Sequence, residues 1–238
     1  MARTVAIGLQ DFEKIIKNDC FYVDKTAFIK EWWEAGDDVT LIARPRRFGK
    51  TLNLSMLDYF FSLEHEGRAD LFEGLYIWED KIYQALQVSY PVISVSFDRI
   101  KEAVYDAARD KICEILRDIY VKYRLIRESD ALADADRDFF DRILADKIRD
   151  SDVTSALHQL SSFLYRYYGK KVIILLDEYD TPMHEAFVHG YWKEMVMLIR
   201  SMFNSTFKTN PYLEKAVMTG ITRVSKESIF SDLNNLRL

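Results

Sequence analysis

Gly49, Lys50 and Thr51 are three consecutive residues whose types and order could bind the phosphate groups of a nucleotide. Backbone N–H groups at the start of a helix face an anion favourably, and glycine lets the chain turn close to it. The ammonium of Lys50 can reach the β- and γ-phosphates, and the hydroxyl of Thr51 can ligate Mg²⁺. The triplet therefore predicts a phosphate-binding loop (P-loop, Walker A), in which Lys50 also has a catalytic role.

The segment that leads into this triplet departs from the standard P-loop pattern. That pattern has a glycine five residues before Gly49, where this chain has Arg44, followed by Pro45. Neither residue takes the usual glycine conformation. A chance Gly-Lys-Thr beside a basic surface loop is the alternative interpretation. The predicted nucleotide-binding residues are Arg44, Pro45, Arg46, Arg47, Phe48, Gly49, Lys50 and Thr51.

A pair of carboxylates follows an apolar run further along the chain. Residues 172–176 are all apolar, which is typical of a strand buried on both faces, and Asp177 and Glu178 come directly after them. This is a Walker B pattern, in which Asp177 would hold Mg²⁺ and Glu178 would orient the attacking water. A strand with an acidic end is also common on plain surfaces. Asp180 is expected to cap the helix that starts near Thr181, rather than to bind metal.

Two further residues are candidates for catalysis. Thr219 ends a short predicted strand, where its hydroxyl could sense the γ-phosphate or place the water. Arg223, four residues later, could neutralise charge in the transition state. The alternatives explain the sequence equally well: Thr219 is a solvated residue at the end of a strand, and Arg223 is an ordinary surface arginine.

The basic loop residues Arg44, Arg46 and Arg47 have several possible roles. They could clamp phosphates, receive a partner, or contact a nucleic-acid backbone with Phe48 available for stacking, and a solvated loop would explain them too. We expect the clamp, because the net charge of −5 opposes a polyanion and Pro45 stiffens the loop around one small ligand.

The elements that must position these residues alternate between strand and helix. This alternation around a phosphate-binding loop predicts a three-layer α/β fold with a mainly parallel sheet. Residues 1–36 are expected to form a helical lead and residues 37–238 the nucleotide-binding domain, with an exposed turn and a short helix within 127–149. Predicted strands are 39–43, 91–97, 172–176 and a short strand of residues 216–218 that ends at Thr219-Gly220. Predicted helices include 10–17, 25–35, 52–61, 104–123, 153–164 and stretches within 183–207.

Composition excludes several other classes of protein. The 238 residues are 49% apolar and 30% charged, which is ordinary for a soluble globular protein and argues against disorder or a polybasic coat. Gly and Pro number only 8 and 4, so an all-β fold with many tight turns is excluded.

The sequence also bears on compartment. No apolar run approaches the length of a membrane span, and no secretory signal precedes the first helix, so we expect a cytoplasmic protein that makes no membrane contact. Cys20 and Cys113 show no paired spacing and are expected to be reduced, buried thiols.

Four motifs together carry a family resemblance. Arranged in this order over nearly the whole chain, they resemble the bacterial predicted AAA-ATPase-like family, whose loop also begins Arg-Pro-Arg-Arg-Phe-Gly-Lys without the first glycine. The motifs are Phe21-Tyr22-Val23-Asp24-Lys25-Thr26, Arg44-Pro45-Arg46-Arg47-Phe48-Gly49-Lys50-Thr51, Leu176-Asp177-Glu178-Tyr179-Asp180-Thr181-Pro182, and Thr219-Gly220-Ile221-Thr222-Arg223 with Ser228-Ile229-Phe230-Ser231-Asp232-Leu233-Asn234-Asn235.

The resemblance implies a P-loop NTPase of the additional-strand, catalytic-glutamate type. In such proteins the strand that ends at Thr219 lies between the strand before the loop and the strand before Asp177, so Thr219 would face the phosphates. Family members usually continue into a nuclease-like domain of the PD-(D/E)XK type. We therefore expect this chain to be truncated at its C-terminus and to meet nucleic acid only through that missing domain.

The resulting functional expectation is slow, Mg²⁺-dependent hydrolysis of ATP coupled to an unknown conformational or partner switch. The alternatives are a non-catalytic, nucleotide-gated switch and a nucleic-acid-associated module that acts with the missing domain. No residue here matches a nuclease motif, so nuclease activity is not carried over.

Overall fold

One parallel β-sheet forms the centre of the computed structural model, which describes residues 4–5, 8–145, 148–221 and the backbone of 236–237. Its strands are β1 (Val39–Ala43), β2 (Val92–Ser96), β3 (Val172–Asp177), β4 (Leu213–Gly220) and the two-residue β5 (Leu236–Arg237). They lie in the order β2-β3-β4-β1-β5, and every neighbouring pair is parallel. The mainly parallel sheet expected from the sequence is confirmed.

Helices and short 3-10 turns cover both faces of this sheet. The 3-10 turns are Leu63–His65, Ala69–Leu71 and Tyr76–Glu79. The helices are α1 (Phe12–Lys17), α2 (Ala27–Glu34), α3 (Lys50–Phe61), α4 (Lys81–Leu86), α5 (Tyr105–Lys122), α6 (Arg124–Arg127), α7 (Asp134–Leu144), α8 (Asp150–Tyr168), α9 (Thr181–His189) and α10 (Trp192–Phe207).

Strand β3 shows why the sheet separates two cores. Successive side chains of a strand point to opposite faces, and all six residues of β3 are buried. Ile174 and Leu176 pack into the larger core, among residues of α5, α7, α8, α9 and α10. Ile173 and Leu175 pack into the smaller core, among residues of α1, α2, α3 and α4. The protein is therefore a three-layer α/β structure, as predicted.

The order of the strands brings distant parts of the chain together. Strand β4 lies between β1 and β3, which is the arrangement that the family resemblance implies. Its register pairs Ile42 with Thr219 and Leu176 with Met218. Because parallel strands share one direction, the residues that follow β1, β3 and β4 meet at the same edge of the sheet.

The predicted N-terminal lead packs into the smaller core. Phe12 of α1 and both Ile29 and Trp32 of α2 are buried against residues of α3 and the sheet. The division at residue 36 remains a proposal based on sequence.

The region 127–149 differs in part from its expected form. A short helix, α7, is present there, but its Phe140 and Ile143 are fully buried in the larger core. Charged side chains of α7 lie on its outer side, where Asp141 pairs with Arg127 of α6 at 2.7 Å.

The two cysteines conform to expectation. Cys20 and Cys113 are buried and form no disulfide, and burial raises the pKa of the Cys113 thiol. Over the described ranges, no helix has the length and apolar character that crossing a membrane requires.

Candidate functional site

The loop between β1 and α3 takes its shape from two residues with left-handed backbone. Gly49 is the N-cap of α3 with φ of 76°, and Arg47 has φ of 69°. The backbone N–H of Arg44 donates to the carbonyl oxygen of Gly220 at 3.1 Å, so Arg44 continues the pairing of β1 with β4. This explains the missing first glycine, because the left-handed positions of the loop are Arg47 and Gly49, whereas Arg44 does not have a positive φ and so needs no glycine.

The side chain of Lys50 lies inside the curve of this loop. Its Nζ donates hydrogen bonds to the carbonyl oxygens of Arg44 at 2.8 Å and Pro45 at 3.0 Å, and the residue is buried. None of the carboxylates in the described ranges is within ion-pairing distance of Nζ. The loop therefore holds a buried ammonium whose charge is available to an anion.

Asp177 joins three of the elements that meet at this edge. Its Oδ2 accepts a hydrogen bond from the hydroxyl of Thr51, at 2.6 Å. Its Oδ1 accepts from the hydroxyl of Thr219 and from the backbone N–H of Glu178, the latter at 3.0 Å. Thr219 is completely buried and Asp177 nearly so. The structure thus brings Thr51, Asp177 and Thr219 into direct contact, from α3, β3 and β4.

Glu178 has a strained backbone directly after β3. Its φ is 50°, a left-handed conformation that costs a residue other than glycine roughly 1–2 kcal/mol. Its carboxylate oxygen Oε2 accepts a hydrogen bond from the hydroxyl of Thr181, at 3.0 Å. Thr181 is a partner that the sequence did not reveal. Strain of this kind clusters at functional sites, where the surrounding structure maintains it.

The turns after β3 and β4 are fastened to each other. The backbone N–H of Tyr179 donates to the carbonyl oxygen of Thr219 at 3.0 Å, and Asp180 Oδ2 accepts from the N–H of Ile221 at 3.0 Å. A Cβ atom on Gly220 would lie only 2.5 Å from the ring of Tyr179. Only glycine fits there without displacing this ring.

The expectation that the side chain of Asp180 caps α9 is wrong. Asp180 occupies the N-cap position of α9, but its side chain makes no capping hydrogen bond. Its backbone is in the right-handed helical region rather than the extended one that N-cap residues need, so the carboxylate is directed at Ile221 instead. Pro182 lies in the first turn of this helix, where a proline was expected.

The basic residues of the loop are exposed. Arg44, Arg46 and Arg47 have no ion pair with any carboxylate that the structure describes, and the ring of Phe48 is 61% exposed. This part of the surface is open to an anionic ligand.

Sequence reasoning missed one cation beside this loop. The Nζ atom of Lys25 lies 3.6 Å from the position that a Cβ on Gly49 would occupy. Lys25 belongs to the first of the four family motifs, but nothing in the sequence placed that motif at the loop. Arg223 and residues 228–235 fall outside the described residues, and the role of Arg223 stays a proposal.

Comparison with known proteins gives one curated relative. The chain is 28% identical, over 239 aligned residues, to an "Uncharacterized protein in vnfD 5'region" of Azotobacter chroococcum mcd 1. The alignment covers 98% of this chain and 40% of the relative, so the chain spans less than half of that protein's length. No solved structure matches the chain.

A family comparison covers nearly all of the chain. The sequence profile of the family described as "Predicted AAA-ATPase" matches residues 6–230. The matched range includes β1 to β4, the loop that holds Lys50, and the contacts of Asp177 with Thr51 and Thr219. The chain therefore belongs to the Predicted AAA-ATPase family.

Proposed function

We propose that this chain binds Mg²⁺·ATP at the loop between β1 and α3 and hydrolyses the ATP slowly. The observation that carries the proposal is the hydrogen bond of 2.6 Å between the hydroxyl of Thr51 and the carboxylate of Asp177. It joins the two motifs that in P-loop NTPases hold the phosphates and the metal, although they are far apart in the sequence.

Phosphate binding is assigned to the loop and to Lys50. The backbone N–H groups at the start of α3 would face the β- and γ-phosphates, and the ammonium of Lys50 would exchange its carbonyl partners for phosphate oxygens. The exchange is favourable because the phosphate oxygens carry a negative charge that attracts the ammonium, whereas the carbonyl partners are neutral dipoles.

The chemistry of the donor set fits Mg²⁺. The hydroxyl of Thr51 and the carboxylate of Asp177 are hard oxygen ligands in direct contact. Within the described ranges, no group of three or more His, Cys, Asp or Glu side chains could hold a metal ion on its own. Further ligands would have to come from phosphate and water, as is usual for Mg²⁺. When bound, the ion would offset negative charge that develops on the phosphates.

Proton transfer is assigned to Glu178. Its carboxylate would accept a proton from the attacking water, and the hydroxyl of Thr181 would orient that carboxylate through the oxygen it already binds. Thr219 would act indirectly, because its hydroxyl positions the carboxylate of Asp177 by a hydrogen bond. Arg44, Arg46, Arg47 and Phe48 would close over the nucleotide from the exposed side of the loop.

A nucleotide-gated switch without turnover is the second candidate function. The hydrogen bond between Thr181 and Glu178 favours it, because that bond ties the carboxylate of the proposed base to the first residue of α9. In this case ATP would bind and stabilise one conformation of the protein without being consumed.

Calorimetry and a turnover assay together test the proposal. We expect Lys50→Ala to abolish ATP binding while the protein stays folded, and Lys14→Ala on the exposed side of α1 to bind normally. Glu178→Gln should retain ATP affinity and lose most turnover, with Glu194→Gln as the matched control.

The outcomes separate the two functions. Equal turnover of wild type and Glu178→Gln would show that the base lies elsewhere, and ATP binding with no turnover in the wild type would favour the switch. Unchanged ATP affinity in folded Lys50→Ala would overturn the assignment of the loop.

A further inference from the structure

We infer that Lys25, from the segment between α1 and α2, is a second lysine that binds the phosphate groups at this loop. The inference rests on the proposed function and extends it to a residue outside the P-loop and Walker B motifs. Its starting point is the distance of 3.6 Å between Lys25 Nζ and the position of a Cβ on Gly49. Gly49 is the N-cap of α3, where the helix favours negative charge.

Asp24 fixes the backbone next to Lys25. Its Oδ1 accepts hydrogen bonds from the N–H and the hydroxyl of Thr26, at 2.8 and 2.7 Å. Its Oδ2 accepts from the N–H of Tyr76 at 2.8 Å. Thr26 is completely buried and its hydroxyl oxygen also accepts from the N–H of Ile77, at 3.1 Å. Four hydrogen bonds therefore hold the residues on either side of Lys25, three of them to a single carboxylate.

Tyr22 ties the same segment to the helix that carries Lys50. Its hydroxyl oxygen accepts a hydrogen bond from the backbone N–H of Lys25 at 3.3 Å. The same hydroxyl donates to the sulfur of Met56 in α3, at 3.4 Å. Burial raises the pKa of Tyr22 to about 12, so the phenol keeps its proton, and with it this donation, into the alkaline range as well as at neutral pH. The backbone of Lys25 is thus positioned relative to α3.

The ammonium of Lys25 has no structural task of its own. The side chain is exposed, and within the described part of the chain Nζ donates no hydrogen bond and forms no ion pair. A lysine that stabilised the fold would reach a carboxylate or a carbonyl, as Lys17 does with Glu13 at 2.7 Å. Lys25 instead combines an anchored backbone with a free cation beside the loop.

Charge at the loop supports the same conclusion. Lys25 adds a fifth cation to Lys50 and the three loop arginines, and the described residues offer no carboxylate as an ion-pair partner to any of them. Like charges placed together without counter-charges repel one another, and bound phosphates would relieve that repulsion. Lys25 would contribute a point charge and up to three donors.

The test compares ATP affinities by calorimetry for the full 238-residue chain. We expect Lys25→Gln to weaken ATP binding about tenfold, the loss expected for one charge-assisted hydrogen bond. Lys25→Arg should retain most of the affinity because it keeps the charge. Lys14→Gln, an exposed lysine of α1, is the matched control and should bind like the wild type.

Failure of this inference is distinguishable from failure of the proposed function. If Lys50→Ala loses ATP binding while Lys25→Gln keeps wild-type affinity, the role of Lys25 is overturned and the P-loop stands. If the wild type itself does not bind ATP, both are overturned. Thermal unfolding of each variant confirms that an altered affinity comes from a folded protein.

A double-mutant cycle tests how Lys25 is positioned. Asp24→Ala should weaken ATP binding by releasing the segment, and it should add little in the Lys25→Gln background because the cation is already gone. Fully additive losses would show that Asp24 does not act through Lys25.

Discussion

At the scale of single residues, the site depends on one carboxylate with several partners. Asp177 accepts hydrogen bonds from Thr51, Thr219 and the backbone of Glu178, so three separate segments are fixed by one side chain. An ionised carboxylate can accept about four hydrogen bonds, which leaves Asp177 able to take part in a metal shell while it orients its neighbours.

The loop arginines give a prediction at this scale. Replacing Arg46 and Arg47 with Ala should weaken ATP affinity about tenfold or slow turnover, because their exposed guanidinium groups are available for phosphate. ATP binding of the wild type should depend only weakly on salt, whereas a nucleic-acid contact loses about one log unit of affinity per log unit of salt for each phosphate. Titrations of the protein with ATP and with DNA at several salt concentrations measure both dependences.

Tight DNA binding that falls steeply with salt would contradict the phosphate clamp. The control is Arg166→Ala. Arg166 lies on α8, on the other face of the sheet from α3, and its partner is Asp136 at 2.8 Å, so its loss should not affect phosphate binding.

At the scale of elements, two turns at the end of the sheet hold each other in place. The turn after β3 contains the strained Glu178, and the turn after β4 contains Gly220 in close contact with Tyr179. The backbone bond from Tyr179 to Thr219 joins them. A change in one turn should therefore alter the position of the proposed base in the other.

Gly220→Ala tests this coupling. Its Cβ would meet the ring of Tyr179 at 2.5 Å and the carboxylate of Asp180 at 2.7 Å, so we expect a loss of about 1–3 kcal/mol in the free energy of unfolding. Turnover should also fall, since Tyr179 adjoins Glu178. Urea unfolding measures the first effect, and an ATPase assay measures the second.

Gly36→Ala is the matched control for that substitution. A Cβ on Gly36 would meet nothing within 4 Å, so its stability should stay within about 0.5 kcal/mol of wild type. Equal stability of Gly220→Ala and Gly36→Ala would show that the turn after β4 accommodates the extra methyl group without a loss of unfolding free energy.

At the scale of the whole molecule, the stability of the fold depends on a half-buried histidine. His158 of α8 lies beside the ring of Tyr212, with ring centroids 5.8 Å apart. Burial lowers the pKa of His158 below its ordinary value of 6.5. The unfolded chain therefore takes up a proton on this residue at a higher pH than the folded protein does.

The stability of the fold should consequently fall as the pH drops through 6.5 towards the lower pKa of the folded state. His158→Gln removes this contribution, so the stability difference between variant and wild type should shift in favour of the variant between pH 8 and pH 5.5. Urea midpoints at the two pH values provide the measurement. A difference that is the same at both would rule out His158 as a source of acid sensitivity.

The sequence predicted the strands β1, β2 and β3, because apolar runs are local patterns. It did not predict that Lys25 lies beside the loop. The segment from Asp24 to Thr26 is held by backbone groups of Tyr76 and Ile77, and no local pattern indicates such contacts. The burial of α7 was hidden for a related reason. Its charged residues dominate the composition, while Phe140 and Ile143 are the residues that it buries completely.

Strand β4 was predicted only from its apolar centre, Ala216 to Met218, although it runs from Leu213 to Gly220. Its flanking residues Glu214 and Lys215 are polar, and Lys215 Nζ donates to the carbonyl oxygens of Ala35 and Asp37. A tertiary contact therefore extends this strand beyond its apolar signal.

The position of β4 also determines when the site can form as the chain is synthesised. Strand β1 and its phosphate-binding loop leave the ribosome early, yet the strand partners of β1 are β4 and β5, both from Leu213 onwards. Strands β2 and β3 can pair with each other in the meantime, whereas β1 must wait for β4 to enter between it and β3. Pairings between segments so distant in sequence form slowly. A nascent chain that stops before Leu213 thus contains Lys50, Thr51, Asp177 and Glu178 but lacks the strand that brings them together.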